Sequence, residues 1–123
     1  MATLETAVRN AACNAVVDAV DGGAAAGTLV PETSGDADVA TLTFSDPAFG
    51  NATGGVSTAS AITSDTNATG GTIAQVSFYT STGLKILEAT AATSGAEFTF
   101  SSLSVGGGDT VSVSACTVTM PAS

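Results

Sequence analysis

The side chains that most often perform catalysis or hold metal ions are scarce in this chain. It contains no histidine, so neither a Ser-His-Asp nor a Cys-His arrangement can form. The two cysteines, Cys13 and Cys116, lie near opposite ends of the sequence, and no histidine completes a zinc-binding set with them. The sequence therefore predicts a protein that is not an enzyme, with no cofactor and no metal site.

Five polar segments resemble known binding motifs only in part. Asp36-Ala-Asp38 and Asp65-Thr-Asn67 offer oxygen ligands for calcium, but neither has the loop length, central glycine and terminal glutamate of an EF-hand. Gly106-Gly-Gly-Asp109 is not followed by a helix, which a phosphate cradle requires. The segment Asn-Ala-Thr-Gly-Gly occurs twice, from Asn51 and from Asn67, and matches a glycosylation pattern. We interpret all of these segments as turns.

The charge balance limits the classes of partner. Eleven carboxylates oppose two basic residues, Arg9 and Lys85, and the net charge is −9. Proteins that bind nucleic acid neutralise phosphates with many Lys and Arg side chains, so we expect no binding to nucleic acid or to an anionic membrane. A charged protein partner should instead present a basic surface.

The start of the chain and its hydropathy predict where the protein resides. The first residues lack the basic and apolar regions of a signal peptide. No segment approaches the roughly 20 apolar residues that span a bilayer. We therefore expect a protein that is made in the cytoplasm and stays there, or leaves it as part of a released particle.

The composition predicts one domain, residues 1–123, with a thin core. The chain has 123 residues, and more than half of them are Ala, Gly, Ser or Thr. Only 26 are Leu, Ile, Val or Phe, which is close to the level at which globular folding fails. Binding to partner subunits would add stability to such a domain, because it favours the folded form alone.

One segment has the spacing of a helix, from Thr3 to Asp21. Thr3 is the expected N-cap, Glu5 falls in the first turn, and Gly22-Gly23 is expected to end the helix. At 100° per residue the segment has one narrow polar strip and two apolar sides. The strip is formed by Asn10, Asn14, Asp18 and Asp21; one apolar side by Leu4, Val8, Ala11, Ala15 and Ala19; and the other by Cys13, Val16, Val17 and Val20.

Apolar residues around most of the circumference leave two interpretations of this helix. It is either sunk into the core of its own domain or held between its own sheet and a neighbouring subunit. Glu5 and Arg9, four residues apart, can form an ion pair at the edge of the second side. The second interpretation predicts an interface formed by Leu4, Glu5, Val8, Arg9, Cys13, Val16, Val17 and Val20.

After Gly27 the hydrophobic period changes to two, which is typical of strands. The segments are rich in Thr and Val and are separated by Gly, Pro, Asn and Asp. They predict an antiparallel β-sandwich or jelly-roll-like barrel of six to seven strands, spanning residues 27–120. The predicted strands are Gly27–Glu32, Val39–Phe44, Val56–Thr63, Thr72–Thr80, Leu84–Thr90, Glu97–Leu103 and Thr110–Met120.

Three details of this pattern are specific enough to check. Thr72–Thr80 and Leu84–Thr90 flank a three-residue loop and should form a hairpin. Phe98 and Phe100 should both point into the core. The alternation changes phase before Cys116, which indicates either a bulge or burial on both faces. A disulfide between Cys13 and Cys116 would help a thin core, but buried free thiols are the expected state of a protein made in the cytoplasm.

Several segments, in this order, resemble a family of small virion proteins of tailed bacteriophages. They are Thr6-Ala-Val-Arg-Asn-Ala11, Val39-Ala-Thr-Leu-Thr-Phe44 with Ser45-Asp46-Pro47, Phe78-Tyr79-Thr-Ser-Thr-Gly83, Ser94-Gly95-Ala96, and the span from Gly106 to Thr119. Gly22–Val30 and the Gly- and Thr-rich Gly50–Gly71 depart from that family, which has aromatic residues there. The resemblance implies a structural component of a phage particle.

These observations leave three hypotheses of function. The first is a capsid decoration protein, trimeric over local three-fold positions of the head and bound to the major capsid protein. The second is a tail or collar component. The third is a sugar-binding β-sandwich for host attachment, for which Tyr79 is the only tyrosine and no tryptophan exists.

Overall fold

The computed structural model describes residues 3–23, 25–94, 98–100, 102–113 and 116–119. In these residues one helix, α1 (Thr6–Val20), precedes short strands. The strands are β1 (Thr28–Glu32), β2 (Leu42–Thr43), β3 (Val56–Thr58), β4 (Gly71–Thr72), β5 (Gln75–Tyr79), β6 (Lys85–Ala92), β7 (Phe98–Thr99), β8 (Ser104–Val105) and β9 (Thr117–Thr119). The predicted fold class, mainly β with one N-terminal helix, is confirmed.

The largest sheet has five strands in the order β2-β1-β5-β6-β7. Its pairs are antiparallel except the last, in which Ala91 and Ala92 of β6 pair in parallel with Phe98 and Thr99 of β7. The sequence predicted antiparallel pairing throughout. A pair only two residues long leaves no signal of its direction in the hydrophobic pattern. Two further pairs, β3–β9 and β4–β8, are antiparallel.

Alternation along β5 separates the core from the outer face of the sheet. Val76 and Phe78 are buried, and Phe78 pairs with Leu29 on β1 and Leu87 on β6. Three other phenylalanine rings gather around Phe78: the centroids of Phe44, Phe49 and Phe98 lie 5.1, 6.1 and 6.1 Å from its centroid. Phe98 and Phe100 pack against this cluster, as predicted. Most of the aromatic side chains thus lie together in the core.

Helix α1 packs against β3, β6 and β9 and begins later than predicted. Glu5, not Thr3, is the N-cap; its backbone is extended and its side chain makes no capping bond, so the capping role assigned to Thr3 is wrong. At the other end the N–H groups of Asp21 and Gly22 donate to the carbonyls of Asp18 and Ala19, each at 3.1 Å. Gly22 is not left-handed, as a typical glycine cap would be.

Most strands are shorter than their hydrophobic patterns. The predicted strand Val39–Phe44 is reduced to β2, and Val56–Thr63 to β3. Thr72–Thr80 divides into β4 and β5, which belong to different sheets. Glu97–Leu103 contributes β7, and its first residue lies outside the described residues.

Two further predictions concerned a hairpin and an irregularity in the last strand. β5 and β6 form the hairpin, which is confirmed, with a bulge at Phe78–Tyr79. In the last segment Val111 bridges to Asp65, whereas β9 pairs with β3. The phase change itself falls on Ser114 and Ala115, outside the described residues. No helix in the described part of the chain is long and apolar enough to cross a membrane.

Candidate functional site

The polar strip of α1 binds a loop of the same chain. The side-chain oxygens of Asn10 and Asn14 accept hydrogen bonds from the backbone N–H groups of Gly55 and Ala52, both at 2.8 Å. Asp21 accepts one from the N–H of Ala48 at 3.1 Å. Three acceptors on one helix edge therefore hold the loop of residues 48–55.

Arg9 adds a donor to the same contact between the helix and the loop. Its guanidinium donates a hydrogen bond to the carbonyl of Gly54 at 2.9 Å. The loop thus meets the helix through both its N–H groups and a carbonyl, which satisfies backbone groups that no sheet pairs. Arg9 was predicted to lie at a subunit interface, and the structure gives it this contact inside the chain.

One apolar side of α1 is the core side. Cys13, Val17 and Val20, spaced as successive turns of a helix, are 0%, 1% and 0% exposed. A side chain without exposed surface cannot contact another protein, so their assignment to a subunit interface is wrong. Val16, between them, is partly buried. For this side, the first interpretation of the helix holds: it is buried in the core of its own domain.

The other apolar side faces outward. Leu4 and Val8 are 40% and 51% exposed, and Ala11 and Ala15 are also exposed. Val8, Ala11 and Ala15 are separated by three and four residues, the spacing by which one helix packs against another. Leu4 precedes the N-cap Glu5 and lies just before the helix. We call these four residues the helix seam. Glu5, exposed at the N-terminal end of α1, lies beside it.

The outer face of the sheet carries a cluster around a buried carboxylate. Glu32, at the end of β1, is 0% exposed. Its oxygens accept hydrogen bonds from Ser77 and Tyr79, both at 2.5 Å, and from Gln75 at 3.1 Å. These three donors alternate along β5, so all of them point to the face opposite Val76 and Phe78. Lys85 Nζ lies 3.8 Å from Glu32.

Sequence reasoning did not identify this cluster. The available signal was the alternation of polar residues at 75, 77 and 79, together with an acid at the end of an apolar strand. That pattern also fits an ordinary solvent-facing strand. Only the register, which places Glu32 opposite Gln75, shows that one carboxylate serves three donors.

The electrostatics of the cluster favour an ionised Glu32. Burial by itself raises the pKa of Glu32, but the hydrogen bonds from Ser77, Tyr79 and Gln75 and the charge of Lys85 outweigh it, and the pKa lies below its ordinary value. The pKa of Tyr79 is raised, first by its hydrogen bond to Glu32 and then by burial. The Tyr79 hydroxyl therefore stays protonated and donates.

Two further carboxylates and a lysine lie close to Glu32. Oxygens of Glu32, Asp36 and Glu88 lie within 4.8 Å of one another, a spacing that a cation could bridge. Lys85 Nζ contacts Glu88 at 3.0 Å, and its pKa is raised, chiefly by that hydrogen bond. Gln75 Nε2 donates to Asp36 at 2.5 Å. The carboxylates are thus joined by the chain's own donors.

The other segments with ligand-type residues serve turns. The Asp65 carboxylate accepts hydrogen bonds from the N–H groups of Thr41 and Asn67, both at 2.8 Å, and these bonds lower its pKa. Asp109 accepts one from the N–H of Gly106 at 2.8 Å. Asp109 closes its own turn, whereas Asp65 closes its turn and also joins it to the segment of Thr41.

The two cysteines are free and buried, as the prediction of free thiols required. The Cys13 thiol donates to the carbonyl of Val118 at 3.2 Å. Burial raises the pKa of Cys116 to about 12. Neither thiol is placed to act as a nucleophile, which needs an exposed thiolate.

A groove of about 600 Å³ lies beside the Glu32 cluster on the outer face of the sheet. Its lining comes from β1 and the residues just before it, from the segment that leads into β2, and from the end of β5 with the β5–β6 loop. Tyr79 connects the two features, since its hydroxyl bonds Glu32 and its side chain lines the groove. The hydroxyl side chains that line the groove are Thr28, Thr41, Thr43, Thr80 and Ser81.

Comparison with known protein families, with curated proteins and with solved structures finds no match to this chain.

Proposed function

We propose that this protein is a structural subunit of a tailed-phage particle, a decoration protein that binds the outer surface of the capsid. The observation that carries the proposal is the helix seam, an apolar surface left exposed in a chain with few bulky apolar residues. The sequence resemblance to small virion proteins supports the same function.

The seam is suited to contact another protein. Leu4 and Val8 supply bulky side chains, while Ala11 and Ala15 allow a partner's backbone to approach closely. Packing another surface there removes apolar area from water and stabilises the complex in proportion to that area. The net charge of −9 favours a partner with a basic surface around its apolar contact.

The contribution to the particle would be mechanical. Each bound copy contacts adjacent capsid subunits, and its binding free energy is lost only when those subunits separate. The barrier to rupture of the shell rises accordingly. The trimer expected from the sequence remains a prediction, and sedimentation of the purified protein measures it.

A substitution in the seam tests this function. Val8→Asp places a charge at the centre of the apolar contact, and we expect binding to undecorated heads to weaken at least about 100-fold, equivalent to about 2.7 kcal/mol. Thr66→Asp adds the same charge at an exposed loop position and should bind normally. Cosedimentation with heads measures both, and normal decoration by the Val8 variant would contradict the proposal.

Copy number separates the head from the tail. A tail or collar component would be present in far fewer copies than a decoration protein. Quantitative mass spectrometry of purified virions distinguishes the two, since a decoration protein should approach the abundance of the major capsid protein.

A further inference from the structure

We propose that the groove on the outer face of the sheet is a binding site for a neutral carbohydrate. This inference does not depend on the helix seam, which belongs to a different element. A particle subunit with such a site would contact glycans of the host surface in addition to its structural role. The proposal rests on the size of the groove, its hydroxyl lining and the fixed tyrosine in its wall.

The size of the groove suits a short oligosaccharide. Its volume of about 600 Å³ lies within the range of roughly 300–1,000 Å³ typical of small-molecule sites. It is open to solvent, so a longer chain can extend beyond it. The sheet gives it a rigid floor, because β1 is hydrogen-bonded on both sides, to β2 and to β5.

The lining selects for a neutral ligand with many hydroxyl groups. Five Thr and Ser side chains line the groove. The hydroxyls of Thr28, Thr41 and Thr43 can each donate and accept a hydrogen bond. Those of Thr80 and Ser81 already accept hydrogen bonds from backbone N–H groups of the chain and contribute mainly to the shape of the wall. Asp38, exposed at the edge of the groove, adds an acceptor of the kind that binds pairs of sugar hydroxyls. None of the described residues that line it is basic, so an anionic ligand would meet no compensating charge.

Tyr79 supplies the apolar contact that sugar rings need. It is half-buried, and its hydroxyl is held by the buried carboxylate of Glu32. Lys85 Nζ lies 5.8 Å from the centroid of the ring but does not line the groove. The ring is therefore fixed before a ligand arrives, which reduces the entropy lost on binding. Val30, also in the lining, is buried beside it.

The test uses neutral oligosaccharides and the complete protein. Malto-, cello- and N-acetylchito-trisaccharides are titrated into ¹⁵N-labelled protein, and the amide resonances are followed. We expect at least one sugar to bind with a dissociation constant of about 1 mM or lower and to shift resonances of residues 28–30, 41–43 and 79–83. The Val8→Asp variant should bind the sugar normally, which separates this proposal from the proposed function.

Substitutions in the lining should weaken the binding by different amounts. Tyr79→Ala removes the ring, and we expect about a 10-fold loss. Because that change also removes a hydrogen bond to Glu32, Thr43→Val provides a second test, with the shape kept and one hydroxyl lost. Thr58→Val makes the same change at an exposed strand position outside the groove and should bind as the wild type does.

Three outcomes would overturn the proposal. The first is that none of the sugars shifts the resonances at about 10 mM, a concentration well above the expected dissociation constant. The second is that the shifts map to another surface. The third is that capsid shells, and no sugar, perturb the groove, in which case the groove belongs to the particle interface.

Discussion

The side-chain oxygen of Asn14 accepts a hydrogen bond from the backbone N–H of Ala52 at 2.8 Å, across 38 positions of sequence. Ala52 is buried, so its N–H has little access to water. A buried donor that loses its acceptor costs the free energy of its desolvation. The amide of Asn14 therefore stabilises the loop of residues 48–55 as well as its own helix.

Asn14→Ala should lower the free energy of unfolding by about 1–2 kcal/mol, because it leaves the N–H of Ala52 unpaired. Asp18→Ala is the matched control, one turn later on the same helix and exposed, and it should change stability by less than about 0.5 kcal/mol. Urea unfolding followed by circular dichroism measures both. Equal losses in the two variants would show that the hydrogen bond is not responsible.

Gly27 is held between α1 and the sheet at a position where a larger residue does not fit. A Cβ atom there would lie 2.6 Å from the carbonyl oxygens of Val20 and Tyr79. Both are backbone atoms, so the elements themselves would have to separate. We expect Gly27→Ala to lower the free energy of unfolding by about 3 kcal/mol, the upper part of the range for overpacking.

Gly35→Ala is the control for that substitution. The nearest atom to its Cβ would be Thr33 Oγ1 at 3.9 Å, an ordinary contact, and Gly35 is exposed. Its stability should remain within about 0.5 kcal/mol of the wild type. A Gly27 variant as stable as the Gly35 variant in thermal unfolding would contradict the close approach of the helix to β1.

The helix shows how far the sequence alone can lead. The 3.6-residue period correctly predicted two apolar sides and one polar strip. It could not show which apolar side is buried, because Val8 and Val17 have the same hydropathy and only tertiary packing distinguishes them. The polar strip was predicted from its residue types, but its partners were not: Asn10 and Asn14 accept hydrogen bonds from backbone N–H groups some 40 residues away. Almost every residue type has a backbone N–H group, so the sequence does not show which of them a side chain will bind.

The strands show a different limit. The strands β1, β5 and β6 were predicted within a few residues. The Thr- and Gly-rich segments were predicted as longer strands than they form, because Thr is compatible with both a pleated strand and an irregular loop. Glu32 was missed as a site since its environment depends on the register of β1 against β5. Register was not predictable from either segment alone.

The two thiols should be inert in the folded protein. Cys13 and Cys116 are 0% and 4% exposed, so a reagent has little access to either sulfur. Burial also raises the pKa of Cys116 to about 12, so little Cys116 thiolate exists at pH 8. Iodoacetamide at pH 8 should modify neither residue within the time that fully alkylates both in urea. Mass spectrometry of the intact chain counts the adducts. Rapid single labelling of the folded protein would show that one cysteine is accessible.

The carboxylate of Glu32 should make stability depend on pH in acid. Its pKa in the folded protein lies below the ordinary value of 4.5, so folding favours the ionised form. The stability that this form provides is fully present above about pH 4.5 and is lost as the pH falls through the lower, folded-state pKa. The groups responsible are the three donors on β5 and the ammonium of Lys85.

Glu32→Gln should remove this dependence and should cost about 1–3 kcal/mol of unfolding free energy at pH 7, because the donors lose a charged acceptor. The difference from the wild type should shrink as the pH falls below 4.5, because the wild-type carboxyl then becomes neutral as well. Glu88→Gln removes the exposed partner of Lys85 and should cost less than about 1 kcal/mol while keeping the acid dependence due to Glu32. Urea unfolding at intervals from pH 7 to pH 2 compares the three proteins, and parallel curves for the wild type and the Glu32 variant would show that Glu32 is not the group that titrates.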